Sequence, residues 1–148
     1  MILIGMFDSP FVRRVAVSMN LLGMPFEHRN WSVGKDFELI VTQVYETVFR
    51  PPEKRYRPWM ERCHTQMHAA LAELNRLSQA RAGEWLIGSR MTQADITATC
   101  AYTFLVDALA INRVTVAYPG LAAIAERCEA LPEFRSVKAE WFPPGENS

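Results

Sequence analysis

Ser9 stands where a serine side chain can take part in chemistry, because a helix is predicted to begin at the next residue. Pro10 occupies the first helical position, apolar residues follow at helical spacing as far as Leu22, and Gly23 ends the helix. A serine hydroxyl at this place commonly caps the helix, and the spacing alone favours that role. A helix N-terminus also favours negative charge, which makes Ser9 our candidate for contact with an anion.

Positive charge follows Ser9 in the same helix, at Arg13 and Arg14. Either arginine could attract an anionic ligand, but for Arg14 a structural ion pair or capping contact is favoured. The chain as a whole has 16 basic and 16 acidic residues among 148, and hence no formal net charge. This balance argues against a nucleic-acid-binding protein, which would need a basic face.

His64 and His68 are spaced i, i+4 on a predicted helix and could share a metal ion. The residues between them lack the glutamate of an HExxH motif, and no third ligand is evident, so we predict no metal site. Cys63 precedes this pair and falls on the apolar stripe of the helix. We therefore expect Cys63 in the core rather than as a nucleophile.

The elements that must position these residues form two patterns. Residues 2–31 predict a βαβ unit with strands at Ile2–Phe7 and Phe26–Trp31, and two strands with one helix do not close a sheet domain. The rest of the chain is predicted to be helical, with a break at Arg50-Pro51-Pro52. The predicted helices span Asp36–Phe49, Pro58–Leu77, a segment from Thr92 through Ala108, Leu121–Ala130 and Phe134–Trp141.

One helix start carries a recognisable capping pattern. Thr92 is predicted to cap, Asp95 to reach back to the Thr92 amide, and Met91 to pack on Ile96 as a hydrophobic staple. Before it, the connector around Trp85 has enough apolar content to pack on the core. This arrangement predicts a firmly anchored helix in the middle of the chain.

The sequence also limits the compartment in which we expect the protein. Ile2–Phe7 is too short for the apolar region of a signal peptide, and no apolar run approaches the length of a membrane span. Three widely spaced cysteines fit neither a disulfide framework nor a CxxC zinc site. We therefore expect a reduced, cytoplasmic protein.

The order of these signals resembles that of the cytosolic glutathione transferases. Residues 9–15 (SPFVRRV) are similar to the first turn and helix of the serine-type, zeta-like and bacterial branches, where arginine follows the catalytic serine five positions later, as Arg14 follows Ser9. The helical half resembles the family more specifically. The matching stretches are residues 85–88 (WLIG), 91–96 (MTQADI), 118–121 (YPGL) and 131–134 (LPEF).

The resemblance implies a mainly α fold with a small α/β part. A truncated thioredoxin-like βαβ unit would span 1–40, and an all-helical C-terminal domain would span 41–148. The implied co-substrate is glutathione, contacted by Ser9, Pro10, Phe11 and Arg14, with the Ser9 hydroxyl donating to the catalytic thiolate. The implied partner is a small hydrophobic electrophile, and a homo-oligomer is expected. Tyr102 and Phe104 are equally suited to the electrophile pocket and to the core.

Several departures from the family pattern favour the loss of glutathione binding. After the second strand the family has two more strands, with a cis-proline after an aliphatic residue and a Glu/Gln-Ser pair. This chain has its only aliphatic-proline pair at Leu131-Pro132, which predicts an internal deletion near residues 38–42. Phe11 also stands where zeta-type members have cysteine. The rival hypothesis is a non-catalytic interaction or dimerisation module, and maleyl-acid isomerisation remains an alternative to conjugation.

Overall fold

The computed structural model describes residues 1–29, 39–109 and 117–141. The predicted helix start at Asp36, the end of the second predicted strand and the tail after Trp141 lie outside these residues.

The N-terminal part is the predicted βαβ unit. Strand β1 (Ile2–Ile4) is followed by helix α1 (Pro10–Leu21) and strand β2 (Glu27–Arg29), and the two strands are parallel with Ile2 opposite Glu27. Strand β1 is shorter than predicted, and β2 begins one residue later than predicted. Gly5 ends β1 because its φ of 139° lies in a region that favours glycine, and a Cβ there would lie 2.4 Å from Val12.

The remaining described elements are helical, as predicted. Helix α2 (Leu39–Val44) continues into a π-helical turn (Tyr45–Phe49), and the chain then breaks at Arg50 as expected. A short 3₁₀ turn at Pro52–Lys54 leads into the longest helix. The helices that follow are α3 (Arg57–Ala80), α4 (Gln93–Leu109), α5 (Pro119–Glu129) and α6 (Pro132–Arg135).

The predicted final helix over Phe134–Trp141 is wrong after Arg135. The chain turns there because Val137 is buried in the core, and its amide makes only a 3.4 Å hydrogen bond to the Phe134 carbonyl. Trp141 then packs edge-on against Phe104, with ring centroids 5.4 Å apart. The burial of Val137 and the contact of Trp141 with Phe104 go with a return of the chain toward the core, in place of a straight helix.

Helix α1 fixes the βαβ unit to the helical part. Ala16 and Val17 are completely buried against residues of α4 and α5, among them Ile96 and Ile124. A second cluster joins α3, α4 and α5 around Leu105 and a third lies under α2. The core is therefore continuous between the two parts, which sets the positions of the residues at the start of α1.

The predicted reach of Asp95 back to the Thr92 amide is confirmed, whereas the Thr92 hydroxyl donates to that carboxylate. Asp95 is fully buried, and its carboxylate accepts hydrogen bonds from the Thr92 amide at 2.8 Å, the Thr92 hydroxyl at 2.8 Å and the Leu86 amide at 2.7 Å. Met91 and Ile96 belong to the same apolar cluster. Asp95 thus anchors both the helix start and the connector before it.

A second cap, which we did not predict, joins two helices. The side-chain oxygen of Asn75 on α3 accepts a 2.8 Å hydrogen bond from the amide of Gly120 at the start of α5. A Cβ at position 120 would lie 2.2 Å from the Ser78 hydroxyl, so only glycine allows this approach.

Among the described residues, no helix is both long and apolar enough to cross a membrane.

Candidate functional site

Ser9 occupies the N-cap position of α1, as predicted. Its carbonyl accepts the 2.9 Å hydrogen bond from the Arg13 amide that opens the helix, and its backbone is extended. The hydroxyl, however, makes no capping hydrogen bond to the first-turn amides. The side chain is therefore free of the structural role that the spacing favours, and the positive end of the helix lies beside it.

A small cleft lies beside Ser9 between the βαβ unit and the helical part; it is partly open to solvent and has about 10 Å³ of free volume, room for about one water molecule. Its walls come from the loop before α1, the first turn of α1, the middle of α4 and the segment after α6. Asp8 and Pro10, on either side of Ser9, are both in the wall. The other lining residues are Phe7, Arg13, Cys100, Thr103, Phe104, Asp107, Ala139 and Trp141.

The apolar part of the cleft is aromatic. Phe104 and Trp141 meet edge to face, and Phe49 from the π-helical turn continues the row with its ring centroid 6.2 Å from that of Trp141. Phe49 is 43% exposed, so the row reaches the surface. Of the two aromatic residues suggested by the sequence, Phe104 lines the cleft, whereas Tyr102 lies in the core among α3, α4 and α5.

The ion pair that we expected of Arg14 is made by its neighbour. Arg13 is buried, and its guanidinium donates two hydrogen bonds to the Glu129 carboxylate on α5, at 2.6 and 2.7 Å. Arg13 shares a helical face with the buried Ala16 and Val17, which directs it toward α5. That register was visible in the sequence, but the position of Glu129, more than a hundred residues later, was not.

Arg14 lies on a different face of α1. Its guanidinium is 5.7 Å from the centroid of the Phe11 ring, and neither residue is part of the cleft wall. Of the four residues proposed to contact glutathione, Pro10 is therefore in the described wall, and Ser9 is not a lining residue although both its chain neighbours are. The structure does not bring Phe11 and Arg14 to the same place.

The cleft wall contains two carboxyl groups, those of Asp8 and Asp107. Partial burial raises the pKa of Asp8, with backbone hydrogen bonds acting in the opposite direction. Partial burial also raises the pKa of Asp107, although much of its side chain faces solvent and Lys138 partly offsets the shift. Arg13 is the one basic residue in the described wall, and its charge is engaged by Glu129.

The cysteine in the wall is not an activated thiol. Cys100 is buried, and this burial raises its pKa to about 12. A thiol with that pKa is almost entirely protonated at neutral pH and is a poor nucleophile. Cys63 is likewise completely buried, as predicted from its place on the apolar stripe.

Family models match both parts of the chain. The C-terminal domain of glutathione S-transferases matches residues 57–133, which is more than half of the chain, and the N-terminal domain of the same family matches residues 3–64. The two matches overlap, so a domain boundary at residues 40/41 stays a prediction. No curated protein sequence matches the chain.

Solved structures share the fold over nearly the whole chain. A glutathione S-transferase of Methylobacterium radiotolerans in complex with glutathione sulfonate is 20% identical, with a TM-score of 0.82 and 95% of each chain covered. A glutathione S-transferase of Methylobacillus flagellatus with bound GSH is 13% identical, with a TM-score of 0.82, covering 95% of this chain and 99% of that one. A maleylacetoacetate isomerase of Methylobacterium extorquens is 14% identical, with a TM-score of 0.65, covering 93% and 95%.

The βαβ unit lies within the residues matched by the N-terminal model, and helices α3 to α5 lie within those matched by the C-terminal model. The chain belongs to the glutathione S-transferase family.

Proposed function

We propose that this protein binds glutathione with its sulfur at the start of α1 and transfers it to a hydrophobic electrophile held in the adjoining cleft. The observation that carries the proposal is the Ser9 hydroxyl, which makes no capping hydrogen bond and belongs to a residue whose two chain neighbours line an aromatic cleft. The similar structures from M. radiotolerans and M. flagellatus contain glutathione sulfonate and GSH, which supports the choice of ligand.

The main chemical role of the protein in this reaction is to stabilise the glutathione thiolate. The thiol loses its proton to solvent, the sulfur forms a bond to the electrophilic carbon, and the leaving group departs with its electron pair. The Ser9 hydroxyl donates a hydrogen bond to the anionic sulfur, and the dipole of α1 stabilises the same charge. Pro10, in the cleft wall beside it, places the electrophile close to this sulfur.

The composition of the cleft favours conjugation over isomerisation of maleyl-type acids. Phe104 and Trp141 suit a flat, apolar electrophile. Asp8 and Asp107 offer carboxyl groups, while the guanidinium of Arg13 is held by Glu129. A dicarboxylic acid would find no free basic partner among the described lining residues, so neutral or cationic aromatic electrophiles are the better candidates.

The alternative function is a non-catalytic helical interaction module. It is favoured by the separation of Arg14 and Phe11 from the cleft, which leaves Ser9 as the principal polar donor for the tripeptide. The internal deletion predicted near residues 38–42 would remove further glutathione contacts. A single donor is a weak basis for holding a flexible ligand.

Calorimetric titration with glutathione, combined with turnover of a chromogenic halonitroarene, tests the proposal. Ser9→Ala should reduce turnover at least tenfold and change glutathione affinity less, because the hydroxyl acts mainly on the charged sulfur. Ser9→Thr keeps the hydroxyl and is the matched control, with most turnover retained. Absence of glutathione binding by the parent chain would favour the interaction module instead.

We also propose a homo-oligomer and a cytoplasmic location. Within the described residues β1 pairs only with β2, and the nearby Met1 and Ile2 are 71% and 48% exposed. An apolar, unpaired strand edge is a template for a second chain. The three cysteines are free and buried thiols, which suits a reducing compartment.

A further inference from the structure

The outer face of α3 brings two imidazole nitrogens together. The Nε2 atoms of His64 and His68 are 2.9 Å apart and share a hydrogen bond, whereas the sequence showed only their i, i+4 spacing. His64 is exposed and His68 is half-buried, so the pair is open to solvent on one side. The cleft lined by Phe104 and Trp141 is formed by other elements and does not include either histidine.

Tyr118 fixes the orientation of the His68 ring. The buried Tyr118, just before α5, places its hydroxyl oxygen 2.6 Å from Nδ1 of His68. The same hydroxyl can donate to the His68 carbonyl at 3.5 Å, which leaves its oxygen free to accept the Nδ1 hydrogen. In that arrangement Nε2 of His68 carries a lone pair directed toward His64, as in histidines that ligate metals.

We propose that His64 and His68 form a surface site for a divalent transition-metal cation, with Tyr118 as the positioning residue for His68. The separation allows both nitrogens to reach one cation. Two nitrogens bound at about 2.0 Å lie about 2.8 Å apart at a right angle and about 3.3 Å apart at the tetrahedral angle. The observed 2.9 Å lies between these values, so small side-chain movements reach either geometry.

The rest of the coordination sphere belongs to water or a small ligand. The described part of the chain has no group of three His, Cys, Asp or Glu side chains that could hold a metal. Glu61, one turn before His64, is paired with Arg57 at 2.8 Å. Two imidazoles suffice for a chelate of modest affinity, and this is why the absence of a third ligand in the sequence does not exclude the site.

The test uses the full chain without a polyhistidine tag. Calorimetry with Ni²⁺ should show one site per chain, and electron paramagnetic resonance with Cu²⁺ should show coupling to two imidazole nitrogens. The matched control combines His64→Gln with Gln66→His, which keeps three histidines but places two of them at i, i+2, on different faces of the helix. Gln66 is exposed, so this variant should fold normally.

The control variant should lose at least tenfold in Ni²⁺ affinity and the two-nitrogen signal. Tyr118→Phe, with folding checked by circular dichroism, should weaken binding about 10–100-fold, as loss of an orienting partner typically does. Equal binding by the parent and the control variant, or no nitrogen coupling in the parent, would overturn the site. Unchanged affinity in Tyr118→Phe would overturn the positioning role.

Discussion

At the residue scale, the contact that most clearly joins the two parts of the molecule is the Arg13–Glu129 ion pair. Glu129 also accepts a 2.9 Å hydrogen bond from the Thr103 hydroxyl, and the guanidinium of Arg13 donates to the Phe134 carbonyl at 3.3 Å. One buried arginine thus connects α1 to α5 and α6 and contributes to the wall of the cleft. It therefore sets the geometry of the candidate site as well as its charge.

Arg13→Ala should lower the free energy of unfolding by about 3 kcal/mol, because it leaves a half-buried carboxylate without its principal partner. Arg14→Ala removes the same charge from the adjacent position and should cost less than about 1 kcal/mol. Urea denaturation of the two variants measures the difference. Equal losses in both would show that the ion pair contributes nothing specific.

The same ion pair predicts a dependence of stability on pH. Burial raises the pKa of Glu129, but the hydrogen bonds and charge of Arg13 outweigh burial, and the pKa lies below its ordinary value of 4.5. A lowered pKa in the folded state means that the stabilisation is complete above pH 4.5 and is lost as pH falls through the folded value. The stability advantage of the parent over Glu129→Gln should therefore shrink in acid. A gap that is constant from pH 7 to pH 3 would contradict this.

At the scale of elements, α4 depends on one buried carboxylate. Asp95 satisfies the amides of Thr92 and Leu86 together, so it holds the helix start and the Trp85 connector in one arrangement. The connector belongs to the same apolar cluster as α1. Loss of the Asp95 hydrogen bonds is therefore expected to disturb the packing of α1, the helix that follows Ser9.

Asp95→Ala should lower the free energy of unfolding by about 3 kcal/mol, because it leaves buried donors without an acceptor. Asp95→Asn retains one acceptor oxygen at nearly the same volume and should cost less. Thermal or urea denaturation followed by circular dichroism compares the two. An unchanged midpoint in Asp95→Ala would show that the helix start does not need the carboxylate.

At the scale of the whole molecule, the edge of β1 that pairs with no strand in the described part of the chain predicts self-association. Ile2 is 48% exposed beside that edge, and pairing with a second chain would satisfy the strand and cover apolar surface. Light scattering over a concentration series should show a dimer or larger species. Ile2→Lys should shift the equilibrium toward monomer, because a charge at the edge opposes pairing. A parent chain that stays monomeric at high concentration would overturn the proposal.

The sequence by itself determined the order of the elements. The reach of Asp95 to the Thr92 amide, the proline break after Arg50 and the helical span of α3 depend on residues a few positions apart, and these predictions are confirmed. The apolar stripe predicted along α3 is confirmed in part, because Cys63 and Leu71 are buried whereas Leu77 is exposed. The family resemblance rests on these same local signals. Ser9 was found for the same reason, since its place before Pro10 is a local feature.

The tertiary structure decided which residues meet across long separations. Arg13 rather than Arg14 forms the buried ion pair because Glu129 lies opposite it. Position 120 requires glycine because α3 approaches closely there. Neither contact can be predicted from the neighbouring residues in the sequence. The turn that brings Trp141 to Phe104 accompanies the burial of Val137, a tertiary contact that helix propensity does not report. Such contacts form because distant elements compete for one core, and that competition cannot be evaluated one segment at a time.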